Sequence, residues 1–251
     1  MSALLAAAAL AIAAGPECRL PPLRPGALPF RAGETLSYDI DIMGVVKAGS
    51  ISLEVQPAAF QGTQIPLRAR IRNTSVFAKV RRISGMAFSW VDLRTLLPER
   101  YRDEILEDGV RKTSDARIAA DAGAVTIENQ YGEAKKAARF ERAGTVLDVL
   151  AGAYYLRAAR LERGQEMCFD LVAMRRYWRV TARVAATERV ETPAGIFDTV
   201  RVDAEGVRAD RPEVKRPIHL WISTDPRRLM VAAVGEIDLG PVRATLVSVG
   251  R

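Results

Sequence analysis

The sequence has few of the residues that carry most enzyme chemistry. It contains one histidine, His219, and two cysteines, Cys18 and Cys168, in 251 residues. So few imidazole and thiolate groups exclude a Cys/His zinc site. There is neither a Gly-x-Ser-x-Gly nucleophile elbow nor a Gly-x-x-x-x-Gly-Lys phosphate loop. We therefore predict a non-enzymatic protein that holds no metal and no cofactor.

Long hydrophobic runs are also missing. The longest, at residues 1–15, is too short to span a bilayer as a helix, but it ends in small residues as an export signal does. It lacks the usual cationic start, and Gly15-Pro16-Glu17 before Cys18 does not fit a lipoprotein signal. We predict that residues 1–15 direct export, so that the protein is periplasmic or otherwise exported.

The segment after this signal, residues 16–29, contains five prolines and is predicted to be an extended arm. In an oxidising compartment its Cys18 is expected to form a disulfide with Cys168. The alternative is two unpaired thiols. Residues 30–251 contain no obvious linker and are predicted to form a single β-rich domain.

One segment of this domain, residues 145–161, is predicted to form a helix. Thr145 and Asp148 have the spacing of a capping box, and arginines crowd the other end before Gly164. Nearly every face of the segment is apolar, which is typical of a buried helix.

Strand patterns occupy most of the remaining sequence. Residues 36–42 alternate between apolar and polar side chains, and Asp108-Gly109 indicates a tight hairpin. Residues 132–142 are polar and basic, and we expect a loop or an irregular helical segment that leads into the buried helix. About a dozen strands around one helix predict a mainly β fold, a large curved antiparallel sheet or incomplete β-barrel wrapped around a central α-helix.

Several stretches resemble the exported bacterial family of domains of unknown function numbered 3108. The resemblance covers the opening hairpin, the central helix, a glycine turn and a strand near the C-terminus, at residues 30–38 with 48–54, 148–157, 191–198 and 220–229. It implies an exported β-rich domain, and the family has no established activity or known catalytic residues to transfer to this sequence. By looser analogy, such sheets resemble periplasmic lipoprotein carriers that hold acyl chains.

Two sets of side chains are candidates for binding. The first could line an apolar site between the sheet and the helix, although ordinary core packing explains the same residues. Its members are Leu150, Tyr154, Tyr155, Trp90, Trp178 and Trp221.

The second set is a row of arginines on one strand face, Arg175, Arg179 and Arg183. Another row comprises Arg68, Arg70 and Arg72. Both suit anionic lipid headgroups or lipopolysaccharide, and both are also typical of a solvated face. Nucleic acid is not expected as the partner of an exported protein.

The remaining candidates for chemistry are better explained structurally. His219 lies on the polar side of a strand, and Asp39 and Asp41 indicate the solvent-exposed face of another. We predict a cell-envelope protein that binds a hydrophobic ligand, such as a lipid or acyl chain, between sheet and helix. The alternative is a structural or protein/polysaccharide-interaction module without a ligand cavity. Peripheral contact with a membrane surface fits either function.

Overall fold

The computed structural model describes residues 19–42, 44, 46–118, 123–237 and 240–250. Within them the chain forms fifteen strands and one α-helix, α1, at Val149–Ala158. The strands are β1 Thr35–Ile42, β2 Val46–Val55, β3 Gln64–Asn73, β4 Ile83–Asp92, β5 Pro98–Glu107, β6 Val110–Arg117, β7 Ala124–Tyr131, β8 Ala134–Glu141, β9 Val146–Asp148, β10 Glu166–Ala173, β11 Arg176–Thr192, β12 Gly195–Arg208, β13 Arg211–Ser223, β14 Met230–Ile237 and β15 Gly240–Gly250.

All fifteen strands belong to one sheet, in which every strand except β8 pairs with the next along the chain and all ladders but β9–β10 are antiparallel. The chain starts in the middle of the sheet at β1 and meanders outward to β8. It then crosses to the other edge at β9 and returns to the middle, where β15 pairs with β1. No ladder joins the edge strands β8 and β9 in the described part of the chain, so the sheet does not close. The predicted fold class is confirmed.

The inner face of the sheet carries the core because apolar side chains alternate with polar ones along each strand. Buried side chains of β3 to β7 and of β9 to β11 pack together with α1 in the largest apolar cluster. Eight of the ten helical residues are buried, as the apolar surface of the segment predicts.

The helix is shorter than predicted at both ends, and the Thr145 capping box is wrong. Residues Val146–Asp148 extend along β10 as β9, and Asp148 itself is the N-cap. Its carboxylate accepts hydrogen bonds from the backbone N–H groups of Leu150 and Ala151, at 2.8 and 3.0 Å. Pairing with β10 provides ladder hydrogen bonds that a further helical turn would forgo.

The described part of the predicted arm follows the C-terminal end of α1. The backbone N–H of Arg24 donates to the carbonyl of Ala158, and the N–H of Arg160 donates to the carbonyl of Pro22, both at 2.9 Å. The arm thus satisfies backbone groups that a helix end leaves unpaired. Cys18 lies outside the described residues, so its disulfide with Cys168, on β10, stays a prediction.

The predicted loop or irregular helical segment at residues 132–142 is wrong. Apart from the turn at Gly132, most of this segment is the edge strand β8, which pairs with β7. Its burial is low, because an edge strand on an open sheet exposes one side of its backbone and most of its side chains. A charged sequence is common on such edges, which is why the pattern resembled a loop.

Candidate functional site

Four of the six predicted ligand-site residues lie together around the helix. Leu150, Tyr154, Tyr155 and Trp178 are all more than 90% buried and share the largest apolar cluster. The other two lie on the outer face. Trp90 stacks on Phe88, and the indole N–H of Trp221 donates to Glu188 at 2.7 Å.

Beside this apolar cluster, a row of three polar side chains crosses the inner face of the sheet. Asp103 on β5 is directly opposite Ser114 on β6, which is directly opposite Asn129 on β7. They are 4%, 0% and 8% exposed. Because neighbouring strands lie about 4.8 Å apart, the polar row is about 10 Å long.

Each residue of the polar row has a buried oxygen without a hydrogen-bond partner. These atoms are Oδ1 of Asp103, Oγ of Ser114 and Oδ1 of Asn129. A buried polar atom left without a partner costs about 1–3 kcal/mol. Burial also raises the pKa of Asp103, although the nearby Arg175 guanidinium acts in the opposite direction. The polar row can therefore accept hydrogen bonds from a bound donor.

The tight turn between β10 and β11 lies over this row. Its two residues, Met174 and Arg175, have left-handed φ angles of 49° and 62°, which cost roughly 1–3 kcal/mol each for residues other than glycine. The Arg175 guanidinium lies 3.6 Å from Asp103 Oδ1, and its carbonyl accepts from Asn129 Nδ2 at 3.1 Å. Positive φ at both residues is the geometry of a two-residue hairpin turn, which most often uses glycine or asparagine there.

The polar row continues toward the helix through Tyr101. The Tyr101 hydroxyl donates to Asp103 at 3.2 Å, and Tyr101 is paired across the sheet with Ser89. The Ser89 hydroxyl donates in turn to Asp148 at 2.5 Å. Two hydrogen-bonded pairs, Ser89–Asp148 and Tyr101–Asp103, thus lie on neighbouring strands between the N-cap of α1 and the Arg175 turn.

At the other end of the helix, Arg157 forms a buried clamp. Its guanidinium makes a bidentate ion pair with Glu34 at 2.6 and 3.0 Å, and its Nε donates to the carbonyl of Arg228 at 2.9 Å. The same group lies 5.3 and 5.0 Å from the ring centres of Phe30 and Tyr154. These contacts hold α1 in position.

The predicted arginine row is only partly present. Arg179 and Arg183 are exposed on the outer face of β11, but Arg175 belongs to the preceding turn and folds toward Asp103. The turn breaks the strand alternation that predicted a common face. On the same outer side, His219 Nδ1 lies 2.7 Å from Asp203 Oδ1, a contact at the protein surface.

The polar row was missed at the level of sequence. Asp103, Ser114 and Asn129 are separated by hairpins, and each alone is typical of an exposed strand position. The available signal was the register, since the tight Asp108-Gly109 turn fixes which residues of β5 and β6 face each other.

A solved structure shares this architecture. A β-barrel-like protein of the domain of unknown function DUF1849 from Brucella abortus matches with a TM-score of 0.58 and 11% identity. The match covers 92% of this chain and 98% of that chain, and it shows the fold alone.

Two further structures are similar to a lesser degree. A candidate exported protein with a YmcC-like fold from Bacteroides fragilis has a TM-score of 0.38 and 11% identity, with 89% of this chain and 98% of that chain covered. A candidate lipoprotein from Parabacteroides distasonis has a TM-score of 0.39 and 9% identity, covering 88% and 97%. Similarities this low carry no argument.

Family membership follows from the sequence itself. No curated protein matches the chain. A family model described as "Protein of unknown function (DUF3108)" matches residues 37–247, which confirms the resemblance seen in the sequence. The chain therefore belongs to the family DUF3108.

Proposed function

We propose that this protein is an exported, non-enzymatic protein of the cell envelope that binds a lipid-like ligand between α1 and the sheet. The apolar part of the ligand contacts the cluster around Tyr154 and Trp178. Its polar part lies at the polar row, Asp103, Ser114 and Asn129. Export rests on the apolar run at residues 1–15, which lies outside the described residues.

The observation that carries the proposal is the combination of an apolar interior with three buried oxygens that lack hydrogen bonds. Ligand sites are typically apolar with a few convergent polar groups. Because the Asp103 and Asn129 oxygens are acceptors, the ligand must bring hydrogen-bond donors, such as hydroxyl or amide groups. An acyl chain with such a headgroup meets both requirements.

Binding requires the interior to open. The side chains of α1 occupy the space beneath the sheet in this structure. In the proposed opening the Arg175 turn moves away from the polar row, which requires breaking its hydrogen bond from Asn129. Its contact with Asp103, at 3.6 Å, is longer than a hydrogen bond.

The test combines native mass spectrometry with a variant, Ser114→Ala. The protein is purified from the periplasm of an expressing bacterium, and bound lipid is identified after solvent extraction. Because the Ser114 hydroxyl has no partner, its removal should leave stability unchanged or raise it by about 1 kcal/mol. The same change should lower the fraction of protein that retains lipid.

A second buried serine provides the control. Ser89→Ala removes a hydroxyl that donates to Asp148, so it should destabilise the fold. Recovery of lipid-free protein in every preparation would contradict the proposal. A polar row filled by ordered water alone would do so too, and would favour an interaction module without a ligand cavity.

A further inference from the structure

An exposed patch lies on the outer face at the end of the sheet where β3 turns into β4. Its apolar members include Val76 and Val80 on the connecting loop, which are 70% and 81% exposed. The others are Met86, Leu106 and Val110. We call these five residues, with the basic residues Arg70, Arg72, Lys79 and Arg82, the basic-apolar patch.

The parts of the patch are held together by specific contacts. The N–H of Arg82 donates to the Asp108 carboxylate at 2.7 Å, and the N–H of Asp108 donates to the carbonyl of Arg82 at 2.9 Å. These bonds join the β3–β4 loop to the β5–β6 hairpin. On the strands, Ser84 lies between Arg72 and Leu106 in register. The patch is therefore one continuous surface.

An open depression of about 490 Å³ lies within the patch. It lies over the backbone of Gly85, between the outward-facing side chains of the neighbouring positions on β3, β4 and β5. Its other lining residues are Arg70, Ile71, Arg72, Ser84, Met86, Glu104 and Leu106. Its apolar walls and the arginines at its rim suit a ligand group that carries both a negative charge and an apolar chain.

The charge of the patch is unbalanced. Residues 70–82 contain five basic and no acidic residues. Two nearby acidic residues are paired with cations, Glu104 with Arg111 and Glu107 with Arg81 and Lys112, while Asp108 accepts from the Arg82 backbone and keeps its single negative charge, so the patch stays net positive. The remaining positive charge is free to attract an anion from outside the protein.

We propose that the basic-apolar patch docks the protein on an anionic phospholipid surface. Val76 and Val80 enter the headgroup layer, and the arginines and Lys79 contact lipid phosphates. Apolar side chains flanked by basic ones are the composition that binds such interfaces. The valines stand on a narrow loop, a shape that fits between headgroups better than against a flat protein partner. This inference does not depend on the ligand site.

Vesicle flotation tests the proposal. The wild-type protein should float with vesicles that contain phosphatidylglycerol and stay behind with pure phosphatidylcholine, and added salt should release it. Arg70→Glu/Arg72→Glu should weaken binding to the anionic vesicles about tenfold or more, since each basic residue near such a surface contributes about 1 kcal/mol.

The matched control is Arg179→Glu/Arg183→Glu, which makes the same charge change on two exposed arginines of β11. It should bind like the wild type. Equal weakening by both pairs would overturn the proposal, because it would show attraction to net charge and not to this patch. So would equal binding of the wild type to both kinds of vesicle, or to neither.

Insertion gives a second, independent readout. Tryptophan placed at Val80 should be quenched by brominated phospholipids when the protein binds. Tryptophan placed at Ile196, which is 56% exposed on the β11–β12 hairpin at the opposite end of the sheet, should not add quenching. Circular dichroism confirms that the variants are folded. Absence of quenching at residue 80 on vesicle-bound protein would also refute the proposed orientation.

Discussion

Asp148 combines two roles that are usually separate. It is the N-cap of α1, and its side chain is fully buried beside Ser89. Burial raises its pKa from the ordinary value of 3.8 to about 7, even though three hydrogen bonds favour the charged form. Folding therefore requires either a buried negative charge or the uptake of a proton.

The raised pKa predicts a pH dependence of stability. Between about pH 4 and pH 7 the folded protein keeps a proton on Asp148 that the unfolded chain has lost, so stability falls as pH rises through this window. Asp148→Asn keeps an N-cap but cannot titrate. Relative to the variant, the free energy of unfolding of the wild type should fall by about 1.4 kcal/mol for each pH unit across the window.

Urea unfolding at a series of pH values measures this difference. Asp210→Asn is the control, because hydrogen bonds from Arg208 lower the pKa of this exposed residue instead of raising it. Parallel stability curves for wild type and Asp148→Asn between pH 4 and pH 7 would contradict the assignment.

At the scale of elements, Arg157 connects α1 to three other segments. It contacts Glu34 just before β1, the carbonyl of Pro29 in the arm, and the carbonyls of Arg227 and Arg228 before β14. Its side chain is only 1% exposed. This one cation thus ties the C-terminal end of the helix to three other parts of the chain.

We expect Arg157→Met to destabilise the protein by about 3–5 kcal/mol, because it leaves the Glu34 carboxylate buried without its partner. The control is Arg160→Met. The Arg160 side chain is 68% exposed in a surface pair with Glu162, so its loss should lower the free energy of unfolding by less than about 1 kcal/mol. Adding Glu34→Gln to Arg157→Met should recover part of the loss. The free energies of unfolding are measured by chemical denaturation. If the losses caused by Arg157→Met and Glu34→Gln simply add in the double variant, the two side chains do not interact and the prediction is wrong.

At the scale of the whole molecule, two halves of the sheet share one interior. Strands β1 to β8 and β9 to β15 meet at the β1–β15 ladder, and buried residues of both halves pack around α1. The largest apolar cluster needs both halves, although a smaller cluster lies within the second half alone. Residues 30–251 should therefore unfold as one domain.

The three tryptophans can test this cooperativity. Trp90 reports on the first half, while Trp178 and Trp221 report on the second. Fluorescence of Trp178→Phe/Trp221→Phe and of Trp90→Phe should each give a urea midpoint that coincides with the midpoint from circular dichroism of the same variant. A fluorescence midpoint that precedes the circular dichroism midpoint in either variant would indicate two units that unfold separately.

Much of the architecture was determined by local sequence. Alternation fixed the inner and outer faces of strands such as β1, the Asp108-Gly109 turn fixed one register, and the apolar surface of residues 149–158 fixed a buried helix. These features follow from periods of two and 3.6 residues and from backbone conformations that few residues adopt. Such signals are local and are therefore visible in one chain.

The tertiary structure alone decided the candidate sites. Two successive ladders are needed to bring together Asp103, Ser114 and Asn129. Arg175 reaches them from the β10–β11 turn, which belongs to the other half of the sheet. Likewise, Asp148 replaced Thr145 as the helix cap because pairing of β9 with β10 competed with another helical turn. Register and long-range pairing place these groups together, and no local pattern specifies which distant strand a residue will meet.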